Sequence, residues 1–147
     1  MFGLSRKEKE AKQIAEVVAM LQNSFMEVLV EKAISKGKKI PEFCTLVLAV
    51  NFGFAYAACQ RIGAGDEMIG AVLERVYAGS ASKRNYLVLT DHTIGDSRFK
   101  MLINLAGTTA LDVLNFGNPI RSMAGLASLF LADNEKHNAD GSLNINY

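Results

Sequence analysis

The sequence predicts an all-α fold: a single-domain bundle of about five helices around a central apolar helix over residues 41–62, with a C-terminal helical hairpin. Three observations predict it. Residues 43–60, Phe43 to Gln60, carry no charged side chain. On either side of that run, apolar residues recur every three or four positions, which is the period of a helix. Only two prolines occur, Pro41 and Pro119, and both stand where a helix would begin. A chain of 147 residues is one domain by length and buries enough surface to need no covalent staple. The bundle is expected over residues 1–133, followed by a polar, Asn-rich tail over 134–147.

The first helix is expected from Ser5, where Glu8 three residues later completes a capping box, to about Lys36, with Gly37 just beyond its end. Ala11, Ile14, Val18, Leu21, Phe25 and Val28 follow heptad spacing until Lys32 interrupts it. Val17, Met20, Met26 and Leu29 widen that stripe, so the helix is expected to bury two faces. Pro41 opens the second helix, which stops at Gly63. A third, capped by Gly65-Asp66, carries Met68, Ile69, Val72, Leu73, Val76 and Tyr77 on one face and ends at Gly79.

Between Ser80 and Gly95 the pattern is ambiguous. Tyr86-Leu-Val-Leu-Thr90 has the composition of a strand, yet no second strand is evident to pair with it, which favours helix or irregular structure. Asp96 reads as the N-cap of a fourth helix. Gly117-Asn118-Pro119 then gives stop, cap and first helical residue in succession. The fifth helix is expected to reach about Asp133. Ala106, Gly107, Thr108 and Thr109 are expected to face Ala124, Gly125, Ala127 and Ser128 across the hairpin.

Sixteen Lys and Arg against fifteen Asp and Glu leave no basic excess, which speaks against a general nucleic-acid binder. Cys44 and Cys59, fifteen positions apart on one expected helix, would lie roughly 22 Å apart, beyond disulfide reach. Two free thiols and the lack of a signal-peptide layout point to the cytoplasm.

No catalytic motif stands out, and no cofactor or metal is expected. The candidate ligand-binding residues are Asn51, Tyr56, Asp91, His92 and Asp96. A histidine flanked by two carboxylates has the chemistry of a general base or a metal ligand. The same residue types also serve as loop caps, and His137 is the only other histidine. Asn51, alone and polar within the uncharged run, needs a buried partner or a ligand, and Tyr56 on a neighbouring face could share a cavity with it. The Gly63-to-Gly70 segment lacks the preceding strand and the phosphate-binding lysine of a nucleotide loop.

The expected function is a cytoplasmic helical protein–protein interaction module (adaptor, small chaperone or regulatory partner) that self-associates as a homodimer, because so many apolar faces in so short a chain call for cover. Two alternatives stand beside it. One is a membrane-associated protein using the 43–60 segment. The other is a small-ligand-binding or enzymatic bundle using Asp91, His92 and Asp96.

Overall fold

The computed structural model describes residues 5–39, 45–80 and 82–139, with 137–139 described by backbone alone. Its first helix, α1, spans Arg6–Ser35. The start is set by local chemistry: Ser5 is extended, and its Oγ accepts the Glu8 backbone N–H at 3.2 Å. That bond satisfies one of the amide groups orphaned at a helix N-terminus. All six residues of the heptad stripe are buried. Where Lys32 interrupts the stripe, its ammonium reaches across to the Ala124 carbonyl, 3.1 Å away.

The remaining helices are α2 (Thr45–Arg61), α3 (Glu67–Val76), α4 (Lys83–Ile94), α5 (Lys100–Phe116) and α6 (Pro119–Ala139), with a single 3₁₀ turn, Ser97–Phe99, leading into α5. No strand occurs among the described residues. The fold is therefore all-α, with six helices among the described residues where five were expected.

The additional helix is α4, and it settles the ambiguous stretch from Ser80 to Gly95. Thr90 and Thr93 donate their hydroxyls to the carbonyls of Tyr86 and Leu89, each at 2.7 Å. A β-branched residue thus meets its polar needs inside a helix. Asp96 does act as a cap, but of the 3₁₀ turn: its Oδ1 accepts the Arg98 N–H at 3.0 Å. At the other end of α5 the expected punctuation holds. Gly117 takes a left-handed conformation (φ 70°), and Asn118 Oδ1 accepts the Arg121 N–H at 3.2 Å. The last helix runs past Asp133 to Ala139, so the first residues assigned to the polar tail are helical; residues 140–147 lie outside the described set.

Helix α2 forms the axis and packs against all five other helices. From Leu46 to Cys59 every residue is buried except Val47 and Phe52, which are half-buried, and the exposed Tyr56. That enclosure explains a run with no charge, because burying an unpaired charge there would be prohibitive. Pro41 and Cys44 lie outside the described residues. Phe25 ties three helices together, meeting Phe54 of α2 edge-on at 6.2 Å and Phe130 of α6 at 5.4 Å between ring centroids.

Two packing expectations are corrected. The small-residue face of α5 meets α2 instead of α6. A Cβ built on Gly53 would stand 2.6 Å from the Ile103 carbonyl oxygen and 2.7 Å from the Ala106 Cβ, whereas one on Gly125 would meet nothing within 4 Å. Eight residues further along both helices, Arg61 donates to the Asn115 side chain at 3.1 Å and to the Leu114 carbonyl at 3.4 Å. The pairs 53/106–107 and 61/114–115 advance together, so α2 and α5 run in the same direction. In α1, Leu29 is buried and Val17 half-buried, but Met20 and Met26 remain exposed. The helix buries one broad face, not two.

Candidate functional site

Two features at the α2–α3–α4 side of the bundle gather polar chemistry. The first is internal. Asn51, 1% exposed, accepts a hydrogen bond from Gln22 Nε2 at 2.6 Å and donates to the Tyr77 hydroxyl at 3.1 Å. The Tyr77 oxygen is also bonded to the Thr90 hydroxyl. One residue from α1, one from α2, one at the end of α3 and one from α4 thus form a continuous chain through the core. Burial raises the Tyr77 phenol above its ordinary value of 10.0, partly opposed by its hydrogen bonds with Asn51 and Thr90. Among the described residues no buried side-chain nitrogen or oxygen lacks a partner. The chain is therefore a satisfied polar network, of the kind that fixes one arrangement of helices.

The second feature is a cleft of about 560 Å³ between α3 and α4, floored by α2. Helices α3 and α4 touch little, meeting chiefly where Tyr77 stands edge-on to Tyr86 at 5.4 Å. Below that contact the walls are Ile69, Gly70 and Leu73 on one side and Leu87, Asp91 and Ile94 on the other. Phe52 and Tyr56, whose rings lie 6.1 Å apart at 33°, form part of the base. Asp66 and Glu74 complete the rim. Among the described residues, no Lys, Arg or His lines this cleft.

The structure distributes the sequence candidates unevenly. Asn51 is committed to Gln22 and Tyr77, while Tyr56 is exposed and accepts a bond from Gln60 at 2.7 Å. Asn51 does not line the α3–α4 cleft that Tyr56 borders. Asp91 and Tyr56 do come together, in the α3–α4 cleft. His92 is exposed and does not line that cleft, since consecutive helical residues point about 100° apart. Asp96 follows the Gly95 break and holds Arg98 in an ion pair at 2.7 Å. Of Asp91, His92 and Asp96, only Asp91 lines the α3–α4 cleft. Gln22 and Tyr77 were not marked as site residues by sequence reasoning. Only the position of Tyr77 on the apolar face of α3 hinted at a buried hydroxyl.

Cys59 is a buried free thiol, pushed from an ordinary 9.0 up to about 11 by desolvation and, secondarily, by the charge of Asp66. It is held in its unreactive protonated form. Among the described residues no group of three or more His, Cys, Asp and Glu side chains is placed to hold a metal ion. No helix among them is long and apolar enough to cross a membrane. Comparison with family models, with curated proteins and with solved structures found no match.

Proposed function

We propose that the protein is a cytoplasmic helical interaction module that pairs with a second copy of itself. The observation that carries the proposal is a set of exposed apolar side chains at the end of the bundle where α2 and α5 stop and α6 begins. There Ile62, Phe116 and Ile120 are 51%, 79% and 72% exposed. Single exposed hydrophobics are ordinary, but three large ones gathered at one end mark surface that gains from being covered.

Beside them lies a mainly apolar cleft of about 210 Å³, lined by Ile14, Val17, Ala58, Ile62 and Leu114 together with the polar Gln13 and Arg61. A projecting Phe116 and a nearby apolar recess on one chain are the two halves of a self-complementary contact. In a two-fold dimer each copy offers both. The buried, protonated Cys59 suits the reducing compartment assigned here.

Light scattering coupled to size-exclusion chromatography tests the pairing. Wild-type protein at about 50 μM should elute at twice the chain mass, within the range of modest interfaces. Phe116→Asp with Ile120→Asp should give the monomer mass with unchanged helix content by circular dichroism, because neither side chain is buried. A strict wild-type monomer at that concentration would remove self-association.

A further inference from the structure

We propose that the cleft between α3 and α4 is a binding site for a small organic cation with an apolar body, such as an arylalkyl or alkyl ammonium. Its volume of about 560 Å³ lies within the range of small-molecule sites. The lining has the two components such a ligand requires. Phe52 and Tyr56 offer aromatic faces next to aliphatic walls, which suit an apolar body and attract a cation over the ring.

Around the rim stand three carboxylates, Asp66, Glu74 and Asp91, with no cation among the lining residues. Glu74 is shared with Lys83 at 3.5 Å, outside the cleft wall. Asp66 and Asp91 have no ion-pair partner among the described residues. The local field thus favours positive charge, and a low-dielectric floor strengthens that preference.

Gly70 supplies a separate argument. It occupies the middle of α3, where glycine costs about 1 kcal/mol relative to alanine. No backbone reason requires it: its φ is not positive, and a Cβ there would meet nothing within 4 Å. What the missing side chain does is leave the cleft open along the α3 wall. The assignment does not depend on whether the protein dimerises, since Ile62, Phe116 and Ile120 do not line this cleft.

NMR titration of the full chain with phenethylammonium, 2-phenylethanol and 3-phenylpropionate separates the contributions of charge and apolar body. The cation should shift the methyl signals of Ile69, Leu87 and Ile94 and bind at least about tenfold tighter than the anion, with the alcohol between them. Gly70→Leu starts from a Cβ in open space, so it should keep the fold and weaken the cation more than about tenfold. Asp66→Asn and Asp91→Asn should each weaken it about threefold, the size expected of exposed charge pairs, and leave the alcohol unchanged. The assignment is overturned if the cation causes no shift at a few millimolar, if the anion binds as tightly, or if Gly70→Leu binds the cation like wild type. A basic amphipathic peptide that moves these methyls when the amine does not would equally reject a small-molecule site.

Discussion

At Gly53 the backbone of α2 lies so close to α5 that even one added carbon would be 2.6 Å from a carbonyl oxygen; at Gly70, on α3, the same carbon would touch nothing. Both glycines are helical and neither has a positive φ. The first makes possible a close approach of two parallel helices. The second leaves a gap between two helices that scarcely meet. Glycine in a helix therefore carries no meaning of its own here. What the neighbouring helix does with the missing side chain decides whether the residue serves packing or leaves a cleft open.

The sharpest way to break this contrast is Gly53→Ala. The added carbon faces backbone, which cannot swing aside as a flexible side chain would, so the gain in helix propensity is outweighed. Stability should fall by about 2–3 kcal/mol, as in other overpacked cores, read by urea denaturation. An unchanged midpoint would mean that α2 and α5 are not in such close contact.

Next in size is Asn51→Leu, which cuts the polar chain between the two regions. Gln22 can turn toward solvent, but the buried Tyr77 hydroxyl loses a donor. A loss of about 1–3 kcal/mol is expected, partly restored by adding Tyr77→Phe. A smaller effect is expected from alkaline pH. Cys59 ionises near 9.0 when unfolded and near 11 when folded, so its contribution is complete below pH 9 and declines as pH rises toward 11. Tyr77, also raised, acts in the same direction at higher pH. Cys59→Ala should flatten the first part of that decline in denaturation curves recorded across the window. Smallest, and opposite in sign, is Gly70→Ala, which should raise stability by about 0.5–1 kcal/mol in the same assay. A loss there would mean the α3 wall is packed after all.

Patterns confined to one helix could be read directly from the sequence. The heptad stripe of α1, the Ser5 cap and the Gly117-Asn118-Pro119 corner each depend on residues a few positions apart. The central place of α2 followed from the cost of exposing residues 43–60. Patterns that depend on which helix faces which were hidden. Periodicity showed that Ala106 and Gly107 share a small face, but nothing local says that Gly53, far away in sequence, opposes it. Helix α4 was obscured because Val88, Thr90 and Thr93 favour strands, and the backbone bonds of the threonine hydroxyls depend on the helix having formed. The same uncertainty affected the candidate site: with residues 83–94 helical, Asp91 and His92 point different ways. Asp91 lines the α3–α4 cleft with Tyr56 and Asp66, whereas His92 does not.

The parallel course of α2 and α5 also bears on how the protein reaches its native state. Two helices pointing the same way cannot be joined by a tight turn, so the chain passes through α3 and α4 before Gly53 meets Ala106. Closing a loop of roughly fifty residues costs entropy before any contact across the seam can offset it. Refolding should accordingly be slower than for an up-and-down bundle of equal length, where neighbours in space are neighbours in sequence.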